Sequence, residues 1–218
     1  MALSWASRSY LIALLFAFGQ GIPFLYLAAT TNTMQPWLQD FIAHSVEDHY
    51  GIAISRAGMV WVWPLFLTLP ALASLAASWA LSNHLSDTLG RKAAFLITGP
   101  GLVFVSTLLL ASAQACNSAE MLFLGILLKQ IAWGVGDPIC STYLVETAPA
   151  HLSGSSVALA TAVRPLGELI GAIVSSKKSW LKAKEEWGGA SGFVPCYLTS
   201  ATSGCKLTLA FIRSSSVT

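Results

Sequence analysis

Leu85, Ser86, Asp87, Thr88, Leu89, Gly90, Arg91 and Lys92 make a short polar turn between two apolar runs, residues 57–81 and 93–115, neither of which holds a charged residue. About 20 apolar residues cross a bilayer, because a helix rises about 1.5 Å per residue and the hydrocarbon is about 30 Å thick. Two such runs joined by a turn with two cations read as a membrane hairpin with a basic elbow.

Three more runs extend the pattern. Residues 10–29 carry no charge, residues 121–145 contain Lys129 and Asp137, and residues 157–174 contain Arg164 and Glu168. Charges at that depth must face protein or water, since lipid cannot solvate them. The fold class that follows is an all-α membrane protein with about five transmembrane helices. The whole chain agrees: of 218 residues 55% are hydrophobic and 10% charged, against about 25% charged in a soluble domain. A net charge of +2 without a basic, aromatic-studded groove excludes nucleic acid as a partner. Cys116, Cys140, Cys196 and Cys205 lack zinc or disulfide-scaffold spacing, and His44, His49, His84 and His151 lack metal-ligand spacing. No nucleophile-base pair or phosphate loop occurs, so neither an enzyme nor a cofactor is expected.

Prolines at 23, 64, 70, 100, 138 and 165 fall in or near these runs. They are tolerated in a bundle whose neighbouring helices re-satisfy the freed carbonyls. Only Arg8 precedes the first run, which is long and interrupted by Gly21 and Pro23, so it reads as a span in preference to a cleaved signal. A cytoplasmic N-terminus places Arg8, Arg91 and Lys92 inside and the 35–56 loop, with Asp40, Glu47 and Asp48, outside, as the positive-inside rule requires. The same topology puts Lys177, Lys178, Lys182 and Lys184 outside, which conflicts with that rule. Residues 1–174 are expected to form the membrane domain and residues 175–218 an unrelated, disordered tail. Small-residue pairs, Gly167 with Gly171 and Ser74 with Ser78, mark close helix contacts.

Three motifs, in order, resemble the sugar-porter branch of the major facilitator superfamily, which includes the facilitative glucose transporters. Phe24, Leu25 and Tyr26, followed by Asn32 and Gln35, resemble the aromatic stretch and Asn-x-x-Gln that end that family's first span. Asp87, Gly90, Arg91 and Lys92 resemble its elbow signature. Tyr143, Glu146 and Pro149 resemble the exit of its fourth span. The resemblance implies part of the N-terminal half of a major facilitator bundle, in the plasma membrane, moving hexose-type sugars by alternating access. It also implies a cytoplasmic latch of Asp87, Gly90, Arg91, Lys92 and Glu146, and it aligns Thr161 with the family's sugar-facing glutamine; the amide, hydroxyl and aromatic groups that a sugar requires make Gln20, Tyr26, Asn32, Gln35 and Thr161 the candidate contacts. On residue chemistry alone the turn is either such a latch or a solvated elbow that fixes sidedness. Departures weaken the latch: Asn83, Thr88 and Ser153 stand where the family pattern has Gly, Arg and Arg, and Ile126 replaces the arginine after Gly125.

Asp137 reads either as a proton relay or as a structural partner, with Arg164 the cation available to it or to Glu168. Lys129 and Asp137 are about 12 Å apart along one helix, so each needs its own partner. Two functions stay open. One is sugar transport, incomplete as a single chain and working only if two or more chains assemble, as a homo-oligomer, or if the sequence is a truncated product of a longer gene. The other is a non-transporting, truncated membrane polypeptide that associates with full-length carriers. The partners are thus a small sugar, the bilayer and another membrane chain.

Overall fold

A computed structural model describes residues 5–174, all of its regular structure helical. The expected tail, with Lys177, Lys178, Lys182 and Lys184, lies outside the described residues. Five segments are long and apolar enough to cross a membrane: Ser9–Thr33, Arg56–Leu89, Arg91–Ala113, Ala119–Thr147 and Ser153–Ile173. Each overlaps one expected run. The second is longer than its apolar core because the polar residues after Leu81 stay helical until Gly90, whose φ of +78° favours glycine and stops the chain.

The first span is α1 (Trp5–Phe16) and α2 (Ile22–Thr33), joined by a π-helical turn at Ala17–Gly21. α3 (Gln35–Tyr50) follows, where the sequence reading placed an outer loop. It is a helix because Leu38, Ile42 and Ser45 bury one stripe while charged residues face outward. Ser45 ties this stripe to the bundle by donating to the Asn117 carbonyl and accepting the Ala119 N–H, both at 2.8 Å. α4 (Arg56–Leu89) is capped by Ser55, whose hydroxyl accepts the Gly58 N–H at 3.1 Å. It runs through Pro64 and Pro70 without a break. The third span is α5 (Arg91–Leu96) and α6 (Leu102–Ala115) around a second π turn at Ile97–Gly101. α7 (Ala119–Thr147) is the fourth span, and α8 (Ser153–Val163) with α9 (Pro165–Val174) makes the fifth.

α7 is the axis of the bundle: α4 and α6 pack along it, and α9 packs along α2. Glycines set these distances. A Cβ on Gly134 would meet Ser74 Oγ at 2.2 Å and Ser74 O at 2.7 Å, which fixes the α4–α7 seam. Two apolar clusters fill the interior. One lies at the α3 end around Leu38, Ile42, Trp63, Leu110 and Leu122, the other at the elbow end around Phe16, Phe95, Ile139 and Leu144. Along α4 the residues Trp61, Leu65, Leu72 and Trp79 are exposed, Trp79 to 88%. Such a face has a stable environment only in lipid or against another helix.

Candidate functional site

At the elbow, the turn from α4 into α5 brings the Arg91 guanidinium into an ion pair with Glu146 in the last turn of α7. The pair staples the second-to-third-span connection to the end of the fourth span. Both side chains are partly exposed, 33% and 47%, so solvent screening keeps the contribution near 0–1 kcal/mol. Asp87 and Arg91 share a small polar cavity of about 90 Å³ with Ser82, Asn83, Ser86 and Thr142. Three residues that depart from the motif do other work. Thr88 donates to the His84 carbonyl, Ser153 to the Ala150 carbonyl, and Ile126 is packed in the α3-end core. The Arg91–Glu146 ion pair is what joins the elbow to the fourth span here.

Midway through the bundle lies a second polar group, laid out on α7 at four-residue spacing: Lys129, Trp133 and Asp137. That spacing puts all three on one helix face. Arg164, at the junction of α8 and α9, pairs with Asp137 at 2.6 Å and stands 5.2 Å from the centre of the Trp133 ring. Its stem crosses Gly21, where a Cβ would approach Arg164 Cγ to 2.5 Å. The glycine of the first π turn thus makes room for the cation. Trp133 stacks on Phe24 at 4.1 Å with an interplanar angle of 15°, and Lys129 Nζ sits 5.6 Å from the centre of the Phe24 ring.

Lys129 is 4% exposed. Among the described residues no carboxylate pairs with it, and its described interaction is with Phe24. A cation–π contact returns about 2 kcal/mol at most, whereas removing an ammonium from water costs several kcal/mol. Lys129 is thus the least compensated charge in the described bundle. Glu168, one turn beyond Arg164, is exposed and pairs with neither cation.

The five residues expected to contact sugar do not converge on one surface. Gln20 is buried in the first π turn and donates to the Ala132 carbonyl at 3.4 Å, a tie between the first and fourth spans. Tyr26 belongs to the α3-end core, with its backbone under Gly171. Asn32 is exposed at the end of α2, and Gln35 is half-buried at the start of α3. Thr161 is exposed on α8, its hydroxyl donating to the Val157 carbonyl at 2.9 Å. The pairing of Arg164 with Asp137 was one of the options the sequence left open. The Phe24–Trp133 stack and the seat of Lys129 beside it were missed, although the Lys129, Trp133, Asp137 spacing is visible in the sequence.

At the opposite end of the bundle, Tyr50 donates to Glu120 Oε1 at 2.6 Å and Asn117 Nδ2 to Asp48 Oδ2 at 2.9 Å, clamping the end of α3 to the α6–α7 connection. The hydrogen bond to Glu120, reinforced by its charge, raises the Tyr50 phenol above its ordinary value.

Five apolar helices with an ion-paired elbow at one end and charges at mid-depth define a multi-pass integral membrane protein. Residues 11–202 match the family described as "Sugar (and other) transporter", and the chain belongs to that family. The matched range continues past residue 174, where the sequence reading ended its resemblance. Among its relatives, solute carrier family 2, facilitated glucose transporter member 5 of Ovis aries is 24% identical over 177 residues, which are 81% of this chain and 35% of that protein. Member 3 of Mus musculus is 25% identical over 183 residues, 82% of this chain and 36% of that protein. The chain therefore spans about a third of the length of the curated relatives it matches.

Proposed function

We propose that this polypeptide supplies one wall of a sugar carrier that works by alternating access, with hexose-type sugars as its cargo and the plasma membrane as its place of work. The observation that carries the reading is the Arg91–Glu146 ion pair, which joins the elbow to the end of the fourth span. A pair that forms only when these helix ends are together favours the state closed at that end by its own differential energy. Asp87, Gly90 and Lys92 belong to this latch: Gly90 by its positive φ, Asp87 by sharing the polar cavity with Arg91. The π turns at Ala17–Gly21 and Ile97–Gly101 touch one another and supply places where the first and third spans can bend.

Carriers of this kind hold their substrate between two bundles. The second wall comes from further sequence, a second copy of this chain or a full-length carrier. In this reading Gln35, Asn32 and Thr161, on exposed or half-buried positions, contact the sugar, while Gln20 and Tyr26 shape the wall behind them. A second reading, a non-transporting chain that associates with full-length carriers, rests on the exposed apolar face of α4 at Trp61, Leu65, Leu72 and Trp79, which a helix of another membrane chain can cover. Radiolabelled hexose uptake into vesicles holding only this chain separates the two. Saturable, stereoselective uptake supports transport, and uptake no faster than leak supports the associated chain.

A further inference from the structure

We infer that the apolar groove between α3, α4 and α7, at the end of the bundle opposite the elbow, binds a sterol whose hydroxyl donates to Glu120. The inference needs only the membrane placement of the helices and goes beyond the carrier reading.

The groove holds about 440 Å³, within the range of small-molecule sites, about 300–1,000 Å³. Ile42 and Val46 of α3 line it, together with Phe66 of α4 and Phe123 and Leu124 of α7. Phe66 and Phe123 meet edge to face with ring centres 5.1 Å apart, so the groove has aromatic as well as aliphatic walls. Glu120 is the one ionisable side chain among its lining residues. It stands in the first turn of α7, and the apolar walls run inward from it. A carboxylate at the helix end above an apolar slot fits an amphiphile with a small polar head and a greasy body.

Charge and shape select among such molecules. Asp48 is tied by Asn117 into the same clamp that holds Glu120 to Tyr50, which makes this rim acidic. A phospholipid or a fatty acid brings a phosphate or a carboxylate to that rim and is repelled. The lining on α7 ends at Leu124, short of the i to i+7 span over which a docked helix sets its anchors. A sterol brings one uncharged hydroxyl at the end of a rigid ring system, which loses little freedom on binding. Glu120 is prepared to receive it. Its Oε1 accepts from the Tyr50 hydroxyl and its Oε2 from the Ser118 hydroxyl, both at 2.6 Å. Each carboxylate oxygen has a second lone pair, so the clamp fixes the carboxylate without exhausting it. A hydroxyl donating to an ionised carboxylate makes one of the stronger hydrogen bonds available to a neutral lipid.

The test is photolabelling of the full chain in phosphatidylcholine nanodiscs with a cholesterol that carries a diazirine on its ring system, the labelled residues being mapped by mass spectrometry. Label is expected at residues 62–66 and 119–124, and excess cholesterol is expected to remove it. Cholesterol methyl ether, which lacks the donor, should compete at least about tenfold more weakly. Leu124→Trp, which fills the groove, should abolish the label, whereas Leu72→Trp on the exposed α4 face should leave it. Label spread along the apolar surface and not removed by cholesterol overturns the site. Equal competition by the methyl ether overturns the bond to Glu120 and with it the proposal. Competition by phosphatidylethanolamine or oleate as strong as that by cholesterol shows a groove for any acyl chain and overturns the sterol assignment. Should Leu124→Trp fail to fold, the competition series on the unaltered chain decides the matter alone.

Discussion

The fifth span is held against the first by two glycines, and replacing either with alanine gives a result whose size follows from the geometry. A Cβ on Gly167 would lie 2.3 Å from the Ile22 carbonyl oxygen and 2.8 Å from Ile22 Cα, and one on Gly171 would lie 2.7 Å from the Tyr26 carbonyl oxygen and 2.9 Å from Ala29 Cβ. The first three of these neighbours are backbone atoms, which cannot rotate away as a side chain does. Ordinary carbon contacts begin near 3.5 Å, so the α2–α9 seam must open by about 1 Å. Overpacking of that kind costs about 1–3 kcal/mol, and 2 kcal/mol is roughly a 30-fold change in an equilibrium constant. Reversible unfolding of the full chain in mixed micelles by rising SDS, followed by near-ultraviolet circular dichroism, measures the loss. Gly19→Ala is the control, because nothing lies within 4 Å of a Cβ at that position. Gly167→Ala and Gly171→Ala should each unfold at lower SDS than Gly19→Ala. If all three variants unfold together, the fifth span does not pack on the first, and the placement of Arg164 falls with it.

Other outcomes follow from the same contacts. Gly21→Val should displace the Arg164 stem, so that Gly21→Val and Arg164→Met destabilise the chain non-additively in the same titration; strict additivity would separate the glycine from the arginine. In an assembled carrier, Arg91→Ala and Glu146→Ala should each shift the outward-to-inward ratio by no more than about fivefold toward inward, since the pair is partly exposed. Cysteine accessibility on both faces reads that shift, and unchanged accessibility in both variants leaves the elbow with only its role in sidedness. Tyr50 should titrate above the ordinary phenol value of about 10 in an absorbance titration at alkaline pH, and Tyr50→Phe should remove that late component. The sign is that of a raised pKa: the stabilisation is whole below the unfolded value near pH 10 and fades as pH climbs through the higher folded value. A titration unchanged by Tyr50→Phe would refute the clamp.

The spans were legible because hydrocarbon imposes a length and a composition on any helix that crosses it. The elbow was legible because a glycine and two cations interrupt that composition in eight residues. α3 was not read, although Leu38 and Ile42 carry its spacing. Its anchor is Ser45, whose bonds reach Asn117 and Ala119, more than 70 residues away. Such bonds leave no trace in a local pattern. The partner of Lys129 was illegible for a related reason. Which ring or acid meets a buried cation depends on how α7 and α2 are rotated about their axes, and here the Gly21 and Gly136 contacts with Arg164 and Gln20 set that rotation. The sugar-contact candidates came from side-chain chemistry and in part from resemblance, and their spread between core and surface reflects a fold that sets main-chain paths more firmly than it sets side-chain roles.

The central claim is that five helices thread the bilayer with the Arg91, Lys92 elbow inside, and sided labelling tests it most directly. Cys116 is exposed at the end of the bundle opposite that elbow. In a chain with Cys140, Cys196 and Cys205 replaced by serine, an impermeant maleimide should label Cys116 in intact cells. A variant that also carries Cys116→Ser and Thr88→Cys should label only after permeabilisation. Labelling of Thr88→Cys in intact cells, or release of the chain by alkaline carbonate, would contradict the account.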